Sequence, residues 1–286
     1  MKYGVNLLLY GGNFEKSSLK LLKRVGDMGF DGVELAVFDP STTPIKDTKK
    51  ALEDNGLGVT ICTVFGDDNN IISESKKARQ AGVDHLARVT DLLAELGGEI
   101  ICGPIHSPVG CKPPEGRVPP ARTRKEWNYC VSNLRKAAKY AGKSGVSLHI
   151  EPLNRFETYF LNTVEDTVQM CKDVGEKNVF VHYDTFHSNI EQKDVAGAIR
   201  VAGKYLGHVH TCEMDRGIPG TGHVPWKDVM KELKRLKYDG WMMIESFVPA
   251  VPEIAAATCI WRPFAKSGDE LASKGLKFLK RLVKNA

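Results

Sequence analysis

The segment SLHIEPLNRFETYFLNTVEDTVQMCKDVGEKNVFVHYD (147–184) shows the pattern that decides the fold. Short apolar, β-branched runs stand at its two ends, 147–152 and 179–184, and each predicts a strand. Between them, apolar residues recur at helical spacing over 163–174, and Thr163 is a residue type that favours a helix N-terminus. The segment therefore predicts a strand–helix–strand unit whose two strands run parallel.

The same alternation continues in both directions along the chain. Helical spacing returns near 17–28, 43–55, 75–97, 124–143, 194–204, 226–237 and 267–284. Further strand-like runs lie at 3–9, 32–37, 58–65, 99–105, 206–212 and 241–246. Eight strand–helix units with apolar strands predict a parallel sheet covered by helices, and eight strands close into a barrel. We therefore predict an α/β fold, a (β/α)8 TIM barrel, that occupies residues 1–286 as a single domain.

An open, doubly wound sheet is the alternative architecture. It is expected to carry a glycine-rich first turn, and GGNFEKS (11–17) lacks the G-x-G-x-x-G spacing. Two connections are long, 106–124 and 247–268, and both follow the carboxyl ends of predicted strands. Barrel enzymes hold their chemistry on that face, so we interpret both connections as lids, substrate walls or oligomer contacts.

Composition and charge exclude several classes of partner. The net charge is +5, and the positive charges gather in basic runs within helical segments, which is typical of solvated helix faces. We therefore predict no nucleic-acid partner. The seven cysteines are odd in number and form no C-x-x-C, which favours reduced thiols and a cytoplasmic location. The N-terminus lacks the features of a signal peptide, and no apolar run approaches the ~20 residues of a membrane span, so we predict no membrane partner.

Predicted strands five to eight each end in a residue that can bind a metal ion. These residues are Glu151, Asp184, His210 and Glu245. Three unpaired carboxylates at one rim would repel one another, and a divalent cation would remove that repulsion. Oxygen-rich ligation with one imidazole favours Mn²⁺, Co²⁺ or Mg²⁺ over structural zinc. One acid at a strand end is more often a helix cap or an ion-pair partner, but four in register are not explained in that way.

Side chains alternate along a strand, so the layer below the rim can also be predicted. His149, His182 and His208 share a face with the rim residues of their strands. A barrel interior is normally filled with branched aliphatic side chains. Three histidines in this layer therefore predict a polar shell that orients the carboxylates above it.

Three polar residues follow the rim in the loops. Glu157, His187 and Arg216 are expected to lie beyond the metal, where they could bind hydroxyl or carbonyl oxygens of a small polyol. The alternative interpretation is a loop salt bridge for Glu157 and Arg216 and a stacked ring for His187.

At these residues the chain resembles the ketose 3-epimerases, the D-tagatose, D-psicose and L-ribulose 3-epimerase family of xylose-isomerase-like TIM barrels. The matching segments are EPLNRFE (151–157), HYDTFHSNIE (182–191), GHVHTCEMDRGIPGTGHVPW (207–226) and the stretch from IESF through the WR tail (244–262). The resemblance implies one divalent metal ion, Mn²⁺ or Co²⁺ in most members, on the four rim residues. It also implies that Glu151 and Glu245 form the acid/base pair.

The resemblance further implies an activity and a substrate. It implies epimerisation of free ketoses at C3 through a metal-stabilised enediolate, by a homodimer or homotetramer. It implies that Glu157, His187 and Arg216 hold the O1–O2 end of the sugar. Candidates for other sugar contacts are Asn6, Glu34, Phe65, His106 and Ser107, with Phe247 as an apolar wall. The segment CGPIHSP (102–108) has no aromatic residue at the rim, where Trp or Tyr is expected in several members of the family.

Other activities on the same scaffold remain open at this point. An aldose–ketose isomerase of the hydroxypyruvate or rhamnose type would move a proton between C1 and C2 and needs one base. A DNA-repair endonuclease would hold three metal ions with more histidines than the eight present here. A sugar-binding barrel without activity predicts a broken ligand set, whereas this set is complete.

Overall fold

The structure, a computed structural model, describes residues 1–117 and 121–285. Eight parallel strands follow one another in chain order around a closed barrel, and β8 pairs with β1. This confirms the predicted (β/α)8 fold. The strands are β1 (Lys2–Asn6), β2 (Gly32–Ala36), β3 (Gly58–Cys62), β4 (Ile100–Gly103), β5 (Ser147–Ile150), β6 (Val179–Asp184), β7 (Leu206–Thr211) and β8 (Trp241–Ile244).

Helices alternate with the strands and cover the outside of the barrel. In the described segments they are α1 (Leu19–Asp27), α2 (Ile45–Asp54), α3 (Lys76–Leu96), α4 (Arg124–Ala141), α5 (Val164–Val174), α6 (Thr185–Glu191), α7 (Gly197–Ala202), α8 (Trp226–Arg235), α9 (Pro252–Ala257) and α10 (Gly268–Asn285). Thr163 caps α5 by accepting a hydrogen bond from the Asp166 amide, as its residue type predicts. None of the helices in the described ranges combines the length and apolarity that crossing a membrane requires.

The sequence pattern did not predict α6 or α9. Helix α6 follows β6 without a gap, and the Asp184 side chain caps it by accepting from the Phe186 amide at 2.6 Å. Helix α9 has six residues and begins at Pro252 within the long connection after β8. Both helices are too short to display a helical period in the sequence.

The apolar core lies between the strands and the helices. Outward-facing strand residues such as Val33, Ile61 and Val209 pack there and are fully buried. The barrel interior differs, because the inward positions carry carboxylate, thiol, hydroxyl and imidazole groups. Trp241 closes the amino-terminal end, where a Cβ at Gly32 would lie 2.4 Å from its ring. The amino-terminal end is thus sealed, and the polar groups open towards the opposite rim.

The two long connections fold over this rim. In the first, the Gly110 amide donates to the Glu157 carbonyl at 2.7 Å, which ties the connection to the loop after β5. Positions 118–120 of the predicted 106–124 connection lie outside the described residues. The second connection, 247–268, contains α9.

Candidate active site

The four predicted metal ligands meet at the carboxyl rim of the barrel. Asp184 and His210 lie within β6 and β7, and Glu151 and Glu245 directly follow β5 and β8. One side-chain ligand atom of each lies within 4.8 Å of those of the other three, and all four residues are buried. The parallel barrel therefore brings together residues that are up to 94 positions apart in the sequence (245 − 151).

Unpartnered acceptor atoms show that the cluster fits a cation. Glu151 Oε1 and His210 Nδ1 are buried and have no hydrogen-bond partner among the described residues. His210 Nδ1 lies 3.3 Å from Glu245 Oε2 and 3.9 Å from Glu151 Oε1. Buried polar atoms are nearly always satisfied, so an unpaired oxygen and an unpaired imidazole nitrogen in an acidic cluster point to a bound cation. The donor set thus fits a divalent metal ion.

Arg216 reaches into the same cluster. Its Nη1 donates to Asp184 Oδ2 and to Glu245 Oε2, both at 2.8 Å. The guanidinium carbon lies 4.0 Å from the centre of the Phe186 ring. Arg216 has a left-handed backbone (φ 66°), and the Ser246 hydroxyl donates to its carbonyl. From the sequence we expected this guanidinium to lie beyond the ligands; in the structure its Nη1 contacts two of them directly, and its role towards a sugar remains a prediction.

The environments of Glu151 and Glu245 push their pKa values apart. Burial raises the pKa of Glu151 well above its usual range, and the negative charges of Glu245 and Asp184 add to this rise. Burial acts in the same direction on Glu245, but the positive charges of His210 and Arg216 outweigh it and lower the pKa of that carboxyl. Two carboxyl groups with opposite shifts suit an acid and a base.

Two donors converge beside these carboxyl groups. The Asn154 amide donates to His187 Nδ1 at 3.0 Å, which leaves the ring proton of neutral His187 on Nε2. Burial and the positive charge of Arg216 lower the pKa of His187 far below its usual range, so the ring is neutral. Arg216 Nη2 lies at hydrogen-bond distance from His187 Nε2, 3.1 Å. In the tautomer that the Asn154 contact favours, both nitrogens carry protons, and an acceptor oxygen from a ligand could accept from both.

Glu157 lies in the loop after β5, at the edge of the same site. Its Oε1 accepts from Asn154 Nδ2 at 2.7 Å. Burial raises the pKa of Glu157. Asn154 thus holds both Glu157 and His187, which joins two of the predicted sugar-binding residues in one hydrogen-bonded unit.

A cavity of about 250 Å³ opens above the cluster. Its polar end is formed by Glu151, Glu157, His187, Arg216 and Glu245. Apolar side chains form most of the remaining wall, with residues from both long connections among them: Leu8, Phe38, Val64, Pro104, Val109, Leu153, Phe247, Ile254 and Ala257. A bound molecule would meet hydrogen-bonding groups at one end and apolar surface at the other.

Of the remaining predicted contacts, Phe247 lies on the cavity wall, and five others do not: Asn6, Glu34, Phe65, His106 and Ser107. The Asn6 side-chain amide donates hydrogen bonds to Glu34 and Glu245 and accepts one from the Leu8 backbone amide. His106 Nε2 bonds the Glu151 carbonyl at 3.0 Å. Phe65 packs edge-on against His85. Asn6, Phe65 and His106 are therefore absent from the cavity wall in this structure, and their contacts with a sugar remain a prediction.

The polar layer beneath the rim is organised differently from the prediction. His182 Nδ1 lies 3.7 Å from Glu151 Oε2 without a hydrogen bond, and His149 bonds Ser147 Oγ. The group that contacts a predicted ligand is Glu34, which lies 2.5 Å from His210 Nε2. From the sequence, we expected Glu34 among the candidate contacts with the sugar. The feature of the sequence that could have indicated a supporting role is that Glu34 is the single carboxylate within the apolar strand run GVELAV (32–37).

Comparisons with known proteins agree with this fold. Residues 22–282 match the model of the family described as xylose isomerase-like TIM barrel. An L-ribulose 3-epimerase of Methylomonas sp. (strain DH-1) is 30% identical, over 98% of this chain and 97% of that protein. An L-ribulose 3-epimerase of Mesorhizobium japonicum is 32% identical, over 97% of this chain and 93% of that protein.

A solved structure is similar along nearly the whole chain. It is a D-allulose 3-epimerase from Methylomonas sp. in complex with D-allulose, with a TM-score of 0.92 and 30% identity. The similarity covers 98% of this chain and 96% of that one. The chain thus belongs to the xylose isomerase-like TIM barrels and, within them, to the ketose 3-epimerases, a class of carbohydrate isomerases.

Proposed function

We propose that this protein, acting as one barrel domain, epimerises free ketoses at C3. The observation that carries the proposal is the pair Glu151 and Glu245, whose pKa values shift in opposite directions beside one cavity. They follow β5 and β8, which are three strands apart around the barrel. Carboxyl groups so placed can flank a sugar, and inversion at carbon needs proton transfer on both of its faces.

We propose that Glu151, Asp184, His210 and Glu245 hold one divalent metal ion, with Mn²⁺ as first choice and Co²⁺ or Mg²⁺ as alternatives. The unpartnered Glu151 Oε1 and His210 Nδ1 support this assignment. When bound, the ion supplies a Lewis acid that makes the proton next to a ketose carbonyl more acidic.

The side chains of the site bind the sugar, transfer the proton and exclude water. His187 Nε2 and Arg216 Nη2 are placed to donate to the O1–O2 end of the sugar, with Glu157 beside them. One of the two carboxyl groups, Glu151 or Glu245, removes the C3 proton on one face while ionised, and its protonated partner returns a proton on the other. For the opposite epimer the two carboxyl groups exchange roles. Phe247 and the other apolar walls exclude water from the reacting carbon.

We also propose that the protein forms a homodimer or homotetramer in the cytoplasm. The apolar segment 247–264 suggested this contact, but Phe247 and Ile260 are buried within the chain itself. The support now comes from Trp261 and Phe156, which are 75% and 68% exposed. Light scattering at micromolar concentration tests it, and a monomer mass would contradict it. The seven free cysteines agree with a reducing compartment.

The direct test of the activity is a substrate panel. Metal-free protein is loaded with Mn²⁺ and incubated with ketohexoses and ketopentoses, and the products are separated by chromatography. The proposal predicts C3 epimers of at least one ketose, and D184N serves as a control that lacks one proposed ligand. Formation of aldoses in place of ketose epimers would contradict it and favour an aldose–ketose isomerase.

A further inference from the structure

Glu34 is a fully buried carboxylate at which several donors converge. It projects from β2 into the barrel beneath the rim and is 0% exposed. Its Oε1 accepts hydrogen bonds from Asn6 Nδ2 at 2.9 Å and from His210 Nε2 at 2.5 Å. Its Oε2 accepts from Thr60 Oγ1 at 2.8 Å, Cys102 Sγ at 2.9 Å and His208 Nε2 at 2.8 Å. The proposed reaction does not use this group, so the presence of a fully buried carboxylate in the barrel requires another explanation.

The contact with His210 determines what that imidazole offers to the rim. An ionised carboxylate only accepts hydrogen bonds, so its partner Nε2 carries the proton. A histidine that binds a metal ion must be neutral, and the lone pair of His210 then lies on Nδ1, the atom that faces Glu151 and Glu245 and has no hydrogen-bond partner in the described structure. The His182 ring packs edge-on against the His210 ring, with 3.9 Å between the two ring centres. The tautomer and the orientation of the His210 ring are therefore both determined by residues inside the barrel, beneath the rim.

Glu34 is linked to a second rim residue through Asn6. Asn6 Nδ2 donates to Glu34 Oε1 at 2.9 Å and to Glu245 Oε1 at 3.1 Å. The Asn6 carbonyl oxygen accepts from the Leu8 amide at 2.9 Å, which fixes the direction of the side-chain amide. One carboxylate in β2 thus supports His210 directly and Glu245 through one intermediate.

We infer that Glu34 is the positioning residue of the metal centre, which holds His210 in the tautomer that presents Nδ1 and anchors Glu245 through Asn6. The inference rests on the metal site proposed above. Carboxylates that accept from the far nitrogen of a ligating histidine orient the ring and increase its basicity. The role differs from packing alone, because it predicts a loss of metal affinity in a protein that still folds.

A second metal ion at Glu34 is the competing interpretation. Ligand atoms of Glu34, Cys102, His208 and His210 also lie within 4.8 Å of one another. Each of the three partners is already in hydrogen-bond contact with Glu34, so this group satisfies itself without an ion. We therefore expect one metal ion per chain.

The experiment compares Mn²⁺ binding by wild type, E34Q and E34D with isothermal titration calorimetry on metal-free protein. E34Q keeps the size of the side chain and loses the charge, whereas E34D keeps the charge and shortens the reach. The dissociation constant of E34Q should rise about 10- to 100-fold, and that of E34D should fall between E34Q and wild type. If E34Q does not fold, the comparison of E34D with wild type decides.

A matched control separates this role from general destabilisation. Glu126 is another buried carboxylate that accepts from several donors, on α4 and outside the cavity wall. E126Q should lower the metal-free melting temperature and leave Mn²⁺ affinity unchanged. The inference is overturned if wild type binds Mn²⁺ and the folded Glu34 variants bind it equally tightly. It is also overturned if wild type binds two equivalents and C102S loses one. If the wild-type protein binds no Mn²⁺, the proposed metal site itself is wrong.

Discussion

The guanidinium of Arg216 donates to the carboxylate of Asp184, with 2.8 Å between Nη1 and Oδ2. A protein cation therefore lies on a residue that we propose as a metal ligand, and the same Nη1 also contacts Glu245. Three carboxyl groups share this buried cluster, and Arg216 offsets part of their repulsion in the absence of metal. Arg216 and the proposed metal ion would thus compete for the same oxygens, while Arg216 Nη2 lies beside His187 Nε2 at the cavity.

Replacement of Arg216 should separate metal binding from catalysis. In R216A we expect Mn²⁺ affinity equal to or tighter than that of wild type, because a competing positive charge is gone. We expect kcat/KM to fall at least about 100-fold, because a preorganised donor to the sugar oxygens is lost. Calorimetry and steady-state kinetics measure the two effects. Weaker metal binding with unchanged kcat/KM would show that Arg216 supports the metal and does not act on the sugar.

Removal of the metal should lower the stability of the protein. A ligand that binds only the folded state stabilises it by mass action, by about 2.7 kcal/mol at a hundred times its dissociation constant. We therefore expect EDTA to lower the melting temperature and Mn²⁺ to restore it.

D184N is the control for this experiment. Asn keeps an oxygen that can accept from the Phe186 amide and cap α6, but it removes the negative charge. The variant should melt near metal-free wild type and respond little to Mn²⁺. A response equal to that of wild type would exclude Asp184 as a ligand.

His85 should make the protein sensitive to acid. Its Nε2 lies 2.8 Å from Thr63 Oγ1, and burial, together with the charge of Arg88, lowers the pKa of His85 to about 4. A histidine with a depressed folded pKa stabilises the protein above its unfolded pKa of about 6.5, and this stability is lost as the pH falls towards 4.

The variant H85Q isolates this effect, since Gln can still donate to Thr63. Between pH 7 and pH 4.5, metal-free wild type should lose about 2 to 3 kcal/mol more unfolding free energy than H85Q. Urea titrations at the two pH values measure the difference. Equal losses in both proteins would show that His85 does not contribute.

The sequence predicted most of the fold because the strands are apolar and the helices amphipathic. Some strand ends were predicted too far along the chain, as at 58–65, where the strand ends at Cys62 although Thr63 and Phe65 remain buried. The four rim residues could be predicted because residue types that bind metal ions stand at the ends of four consecutive predicted strands. The role of Glu34 could not, since it depends on contacts with residues up to 176 positions away across the barrel. The direction of the Arg216 side chain likewise depends on a left-handed turn that the sequence does not specify.

Both proposed carboxyl catalysts should be required for inversion. E151Q and E245Q keep the shape of the side chain, and each should lower net epimerisation by at least about 100-fold, the smallest effect expected for a general acid or base. Metal content is measured in parallel, so that loss of the ion is not mistaken for loss of the proton carrier. Retention of more than about a tenth of wild-type turnover by either metal-loaded variant falls short of that range and would contradict the two-base assignment.

The central claim, proton transfer at C3 by two carboxyl groups, is tested most directly by the reaction in D₂O. The metal-loaded protein is incubated with a ketose that it converts, and the epimerised product is isolated and examined by NMR. The account predicts deuterium at C3 and none at C1, because the carboxyl group that returns the proton exchanges with solvent. Label at C1, or an epimer without label at C3, would contradict it.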